Sequence, residues 1–123
     1  MDLIERIKRI GVIPVVAFDS AEQAVSAAGA MKAAYLDIIE ITLRTAAGIE
    51  SIKRVKTQFP DMIVGAGTVL TLEKAKESVE AGAQFIVMPG YQEDIVAWCV
   101  ANGVLALPGC VTPSEIQLAL QKA

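Results

Sequence analysis

IIEITLRT, residues 38–45, is an apolar β-branched run with a glutamate and an arginine written into it. Strand side chains alternate faces, so Ile38, Glu40, Thr42 and Arg44 share one side, and Ile39, Ile41 and Leu43 share the other. The purely apolar side belongs against helices. The charged side must look into something that tolerates charge: a barrel lumen, a cleft or a subunit interface. A doubly wound sheet carries helices on both faces and has little room for a glutamate in mid-strand. The run therefore favours barrel geometry, with a buried Glu40–Arg44 ion pair as the competing structural explanation.

Working outward, short β-rich runs alternate with longer helical patterns. The strands are expected at 12–18, 36–43, 62–67, 84–89 and 104–109, with starts about 20 to 26 residues apart. Helices are expected at 20–34, 46–58, 71–81, 91–102 and 113–122, and one more at 2–10 precedes the first strand. Ser20 with Gln23 and Thr112 with Glu115 fit capping boxes, and Pro113 suits a first helical position. Near-continuous apolar strands joined by crossover helices predict an α/β fold of five parallel βα units. The 123 residues suffice for one domain, 1–123, with its N-terminal helix. A full (βα)8 barrel needs about 250 residues, so the expected architecture is a truncated TIM-barrel segment. A rearranged flavodoxin-like open sheet is the alternative. Either one puts function at the carboxyl ends of the strands.

Composition narrows the chemistry. Hydrophobic residues make up 54% of the chain, yet no apolar run approaches the roughly 20 residues that span a bilayer. The first residues, MDLIERIKRI, have a helical period with mixed charges and lack a signal peptide's apolar stretch, so the expected location is the cytoplasm and no membrane partner is expected. Net charge is −3 with no basic run and few aromatics, which argues against nucleic acid as a partner. Cys99 and Cys110 form no metal or redox motif. The chain has no histidine, which removes Ser-His and Cys-His nucleophiles and His-based metal sites together. Chemistry here must run on carboxylates, lysine, arginine, hydroxyls or backbone.

VGAGT, residues 64–68, ends the third expected strand with two glycines that admit close backbone approach and a hydroxyl, Thr68, at the mouth. MPG (88–90) and LPG (107–109) end the next two strands on the same rim. Phosphate-loop and dinucleotide glycine patterns are absent. In order and at matching spacings, GVIPVV (11–16), IEITLRT (39–45), VGAGTVL (64–70), AGAQFIVMPG (81–90) and LPGCVTPSEI (107–116) resemble the 2-keto-3-deoxy-6-phosphogluconate (KDPG) and 4-hydroxy-2-oxoglutarate (KHG) aldolase family. The resemblance covers nearly the whole chain. It implies a class I aldolase on a (βα)8 barrel, usually trimeric and needing no metal or other cofactor, in which a strand lysine forms a Schiff base with the pyruvate half of the substrate. By motif, Glu40 matches the general acid/base, Arg44 the ligand of the substrate carboxylate, and Thr68 a pocket hydroxyl.

The family's Schiff-base lysine lies on the strand that follows the TPSEI helix, whereas this sequence runs only to Ala123. Its seven lysines all fall in helical segments, most on polar faces where a solvated amine is a poor nucleophile. The expectation is an aldolase-derived fragment, excised or engineered, that is inactive as an isolated chain. An aldolase completed by a partner chain and a binding module for a small 2-keto acid are the alternatives. Two departures from the family pattern stand out: Ala34 and Tyr35 replace paired glycines before the second strand, and Met88 replaces a serine expected near the mouth. Open barrel edges predict self-association, as a dimer or higher.

Overall fold

A computed structural model describes residues 1–122. Six helices alternate with five strands: α1 (Leu3–Ile10), β1 (Val15–Val16), α2 (Ala21–Ala33), β2 (Ile38–Thr42), α3 (Gly48–Gln58), β3 (Ile63–Gly67), α4 (Leu72–Ala81), β4 (Phe85–Met88), α5 (Glu93–Ala101), β5 (Leu105–Pro108) and α6 (Pro113–Lys122). Every expected element is present, and the strands are shorter than the apolar runs that announced them. At β1 the reason is Pro14, which has no N–H to give. Its carbonyl accepts from the Glu40 amide at 2.9 Å, and regular pairing begins only at Val15. Pro89 stops β4 in the same way.

All neighbouring strands pair in parallel, in the order β1-β2-β3-β4-β5. One apolar layer joins the sheet to α2, α3, α4 and α5 through residues such as Ile39, Ile41, Val64, Ile52, Ala75 and Ile95. The other face carries no crossover helix. Its small cluster of Ile38, Ile63 and Phe85 is closed from below by Leu3, Ile7 and Ile10 of α1. A doubly wound sheet would reverse its strand order and place crossover helices on both faces. Here the winding never reverses, so the flavodoxin-like alternative gives way to a segment of a barrel with α1 under its floor.

The Thr112–Glu115 capping box forms in full, and the Ser20 box forms with its return bond shifted by one residue. Ser20 Oγ accepts from Gln23 N, while Gln23 Oε1 reaches back to Asp19 N. Thr112 and Glu115 exchange bonds reciprocally at 3.2 and 2.9 Å. Helix α6, by contrast, buries no residue, and Val111 and Leu120 are exposed beside it and on it.

Tyr35 does not crowd the helix-to-strand turn with its ring, which is 92% exposed. What the turn demands is backbone. Tyr35 N donates to Lys32 O and Leu36 N donates to Met31 O, the paired bonds of a Schellman motif, and Tyr35 takes φ +63. Gly103 holds the equivalent position after α5, with φ +67 and the matching Val104-to-Cys99 bond. A left-handed non-glycine residue costs about 1 kcal/mol or more. Tyr35→Gly is accordingly expected to raise the unfolding free energy by about 1 kcal/mol in urea titrations; an unchanged midpoint would show that this turn carries no strain.

Candidate active site

The alternation of β2 holds as far as the strand does. Ile39 and Ile41 enter the helix-side core, and Glu40 and Thr42 lie on the open face, 8% and 1% exposed. Glu40 is opposite Gly65 in register, but its carboxylate reaches further along the sheet. A Cβ placed on Gly67 would stand 2.1 Å from Glu40 Oε1, so the bare backbone of β3 is the seat of this carboxylate. Burial raises the Glu40 pKa above the ordinary glutamate value, and the positive charge of Arg44 pulls it partly back. A raised pKa makes the carboxyl group a better proton acceptor than a solvated glutamate.

Arg44 lies two residues beyond β2, in a turn, and is exposed. It makes no salt bridge with Glu40 among the described residues, so the ion-pair explanation of this strand fails. Instead Arg44 Nε donates to Thr68 Oγ1 at 3.3 Å. That single bond leaves both terminal nitrogens of the guanidinium without an acceptor among the described residues, a fork suited to a carboxylate. Thr68 itself sits at φ +55, a left-handed conformation at the strand mouth, where strain of this kind marks functional turns. Glu40, Arg44 and Thr68 thus gather at the carboxyl ends of β2 and β3: a buried carboxylate set into the wall and a guanidinium fork on the rim.

One expectation needs correction. Met88 takes no polar group from the mouth: it is 1% exposed within the helix-side core, because β4 turns Phe85 and Val87 toward the open face and Ile86 and Met88 away. Among the lysines, Lys56 is an exception to the solvated majority. Lys56 is half-buried, and its Nζ donates to Pro60 O, Met62 O and Gln84 Oε1 at 2.8, 2.8 and 2.9 Å. Burial lowers its pKa below the usual lysine value, Arg6 adds to the effect and Asp61 opposes it. Desolvation beside a cation is what a nucleophilic lysine requires, yet this one sits where β3 and β4 begin, the opposite end of the sheet from the Arg44–Thr68 rim. Its three protons are already engaged. No strand of the open face carries a lysine.

The sequence model of KDPG and KHG aldolase matches residues 3–123. The chain belongs to this family. A 2-dehydro-3-deoxy-phosphogluconate aldolase of Treponema pallidum is 40% identical over 97% of the chain and 57% of its own length. The KDPG aldolase of Zymomonas mobilis ATCC 29191 superposes with a TM-score of 0.88 at 34% identity, covering 98% of this chain and 58% of that one. A KDPG aldolase from Legionella pneumophila, solved with pyruvate captured as a covalent carbinolamine, gives 0.85 at 32% identity over 90% and 54%. The chain thus spans about half the length of the aldolases it matches. No helix among the described residues is long and apolar enough to cross a membrane.

Proposed function

We propose that these 123 residues form one domain that carries the proton-transfer and carboxylate-binding half of a class I aldolase site for 2-keto acids that yield pyruvate. The observation that carries the proposal is the pairing of a buried Glu40 of raised pKa on the open face with the Arg44 fork held by Thr68. Glu40 moves protons to and from the substrate carbon and hydroxyl. Arg44 and Thr68 hold the carboxylate of the pyruvate half. The Schiff-base amine comes from outside these residues, because the one desolvated lysine, Lys56, is at the wrong end of the sheet and fully hydrogen-bonded. By itself the chain binds a keto acid without turning it over.

Two open edges support association with further βα units or a second copy. β1 and β5 each pair on one side only. Val12 and Val15 are more than half exposed at one edge, and an apolar groove of about 350 Å3 runs beside the other, lined by Ile4, Val100, Val104 and Leu105. Both cysteines are free, which accords with a reducing compartment such as the cytoplasm.

Borohydride trapping with pyruvate, read by mass spectrometry, tests the reading. The chain alone should give no adduct. Mixed with the C-terminal half of a relative such as the Treponema pallidum aldolase, it should yield an adduct on the added half, several-fold weaker with Arg44→Ala. An adduct on this chain alone, or a yield indifferent to Arg44→Ala, would overturn it.

A further inference from the structure

Thr42 is the one lumen-side group of β2 without an assigned task. It is 1% exposed and its Oγ1 has no hydrogen-bond partner among the described residues. A buried hydroxyl without a partner costs about 1 to 3 kcal/mol, so this one calls for an acceptor. Its location explains why a hydroxyl is placed there. Thr42 is in register with Gly67, the same residue whose missing side chain makes room for the Glu40 carboxylate. Glu40 starts opposite Gly65 but delivers its oxygens two residues further on, at the level of Thr42 and one strand over. Neighbouring strands are about 4.8 Å apart, a span that a single bridging water closes. Ile41 and Leu43 face the helices, and the lumen neighbours on the β3 side, Gly65 and Gly67, offer no side chain to that hydroxyl.

We propose that Thr42 is a positioning residue: its hydroxyl donates through one bridging water to the ionised Glu40 carboxylate and pins it over Gly67. Only the catalytic consequence rests on the proposed role of Glu40 as proton carrier. With the amine-bearing half in place, the anchor keeps the carboxylate aimed into the lumen between proton transfers and favours its ionised, proton-accepting form. Arg44 is the charged group that already acts on Glu40 from the rim, and it is the same in every variant below.

The test uses the chain as it is, with glutamate labelled by carbon-13 at the carboxyl and Glu40→Gln to assign the signal. Thr42→Val keeps the shape and removes the donor, so the Glu40 titration midpoint should rise by about one pH unit, the size of one hydrogen bond to a charged acceptor. Thr42→Ser retains the donor and should titrate within about 0.3 units of the wild type, and Thr42→Ala should move with Thr42→Val. The other glutamate signals should stay in place in all three variants, which verifies the fold. A Thr42→Val midpoint at the wild-type position would overturn the proposal, as would a Thr42→Ser midpoint that follows Thr42→Val. Because no pyruvate is present, this result is independent of whether trapping succeeds.

Discussion

Gly65→Ala should destabilise the chain by about 3 kcal/mol, at the upper end of what overpacking costs in a filled core. The added Cβ would lie 2.2 Å from Phe85 Cε2 and Cζ, far inside contact distance. Rings can sometimes swing away, but Phe85 is fully buried. Ile38 and Ile63 flank it, and Leu3, Ile7 and Ile10 of α1 close the cluster beneath. Relief would require lifting α1 from the barrel floor or pushing the ring up toward Glu40. Urea unfolding should therefore show a lower midpoint with an unchanged slope. Phe85→Leu, harmful in the wild type, should recover part of the loss in the Gly65→Ala background, because the two residues compete for one space. A loss below about 0.5 kcal/mol would mean that the floor of the lumen is plastic.

A comparable effect is expected at Lys56, where β3 and β4 begin. Lys56→Met keeps the aliphatic stem that packs over Gly82 but strips the donor from three oxygens at once. Pro60 O and Met62 O belong to the turn that feeds β3, and Gln84 Oε1, which also accepts from Val64 N at 3.3 Å, ties in the start of β4. Charge-assisted bonds of this type contribute about 1.5 to 3 kcal/mol each in isolation. Because Lys56 is only half-buried, water replaces part of that, and a net loss of about 2 to 3 kcal/mol is expected. Pyruvate trapping in the reconstituted mixture should be unchanged once measured at a temperature where the variant is folded. A selective loss of trapping would instead make Lys56 part of the chemistry and sink its assignment as a structural clamp.

Much of this architecture was legible in the residues. IIEITLRT disclosed both faces of β2, since alternation is a local property and needs no knowledge of neighbours. The five ordered motifs carried the family, and the glycines of VGAGT pointed to close approach on β3. Less legible was the object that each glycine admits. Gly65 and Gly67 are two residues apart on the same strand, yet one makes room for an aromatic ring of β4 and the other for a carboxylate of β2. Lys56 was hidden for a similar reason: its helix pattern reads as solvated, and its acceptors come from the loop before β3 and from Gln84, 28 positions away. Arg44 was assigned to the lumen face by extending the alternation two residues too far. β2 ends at Thr42, Leu43 N bonds to Gly67 O, and the chain turns before Arg44, which meets Thr68 on the rim.

By itself the sequence determined the elements, their parallel order of succession, the apolar and polar sides of the second strand and the kinship with aldolases. These follow from periodicity, turn chemistry and residue identity, all carried within short stretches. Only the tertiary structure decided that every crossover helix lies on one face, so that a glutamate in mid-strand looks into a lumen. It also decided that this glutamate rests on Gly67 beside an unpaired threonine, and that the arginine spares Glu40 and binds Thr68. Those outcomes depend on contacts between residues some twenty positions apart or more, where register and packing, rather than local preference, set which groups meet.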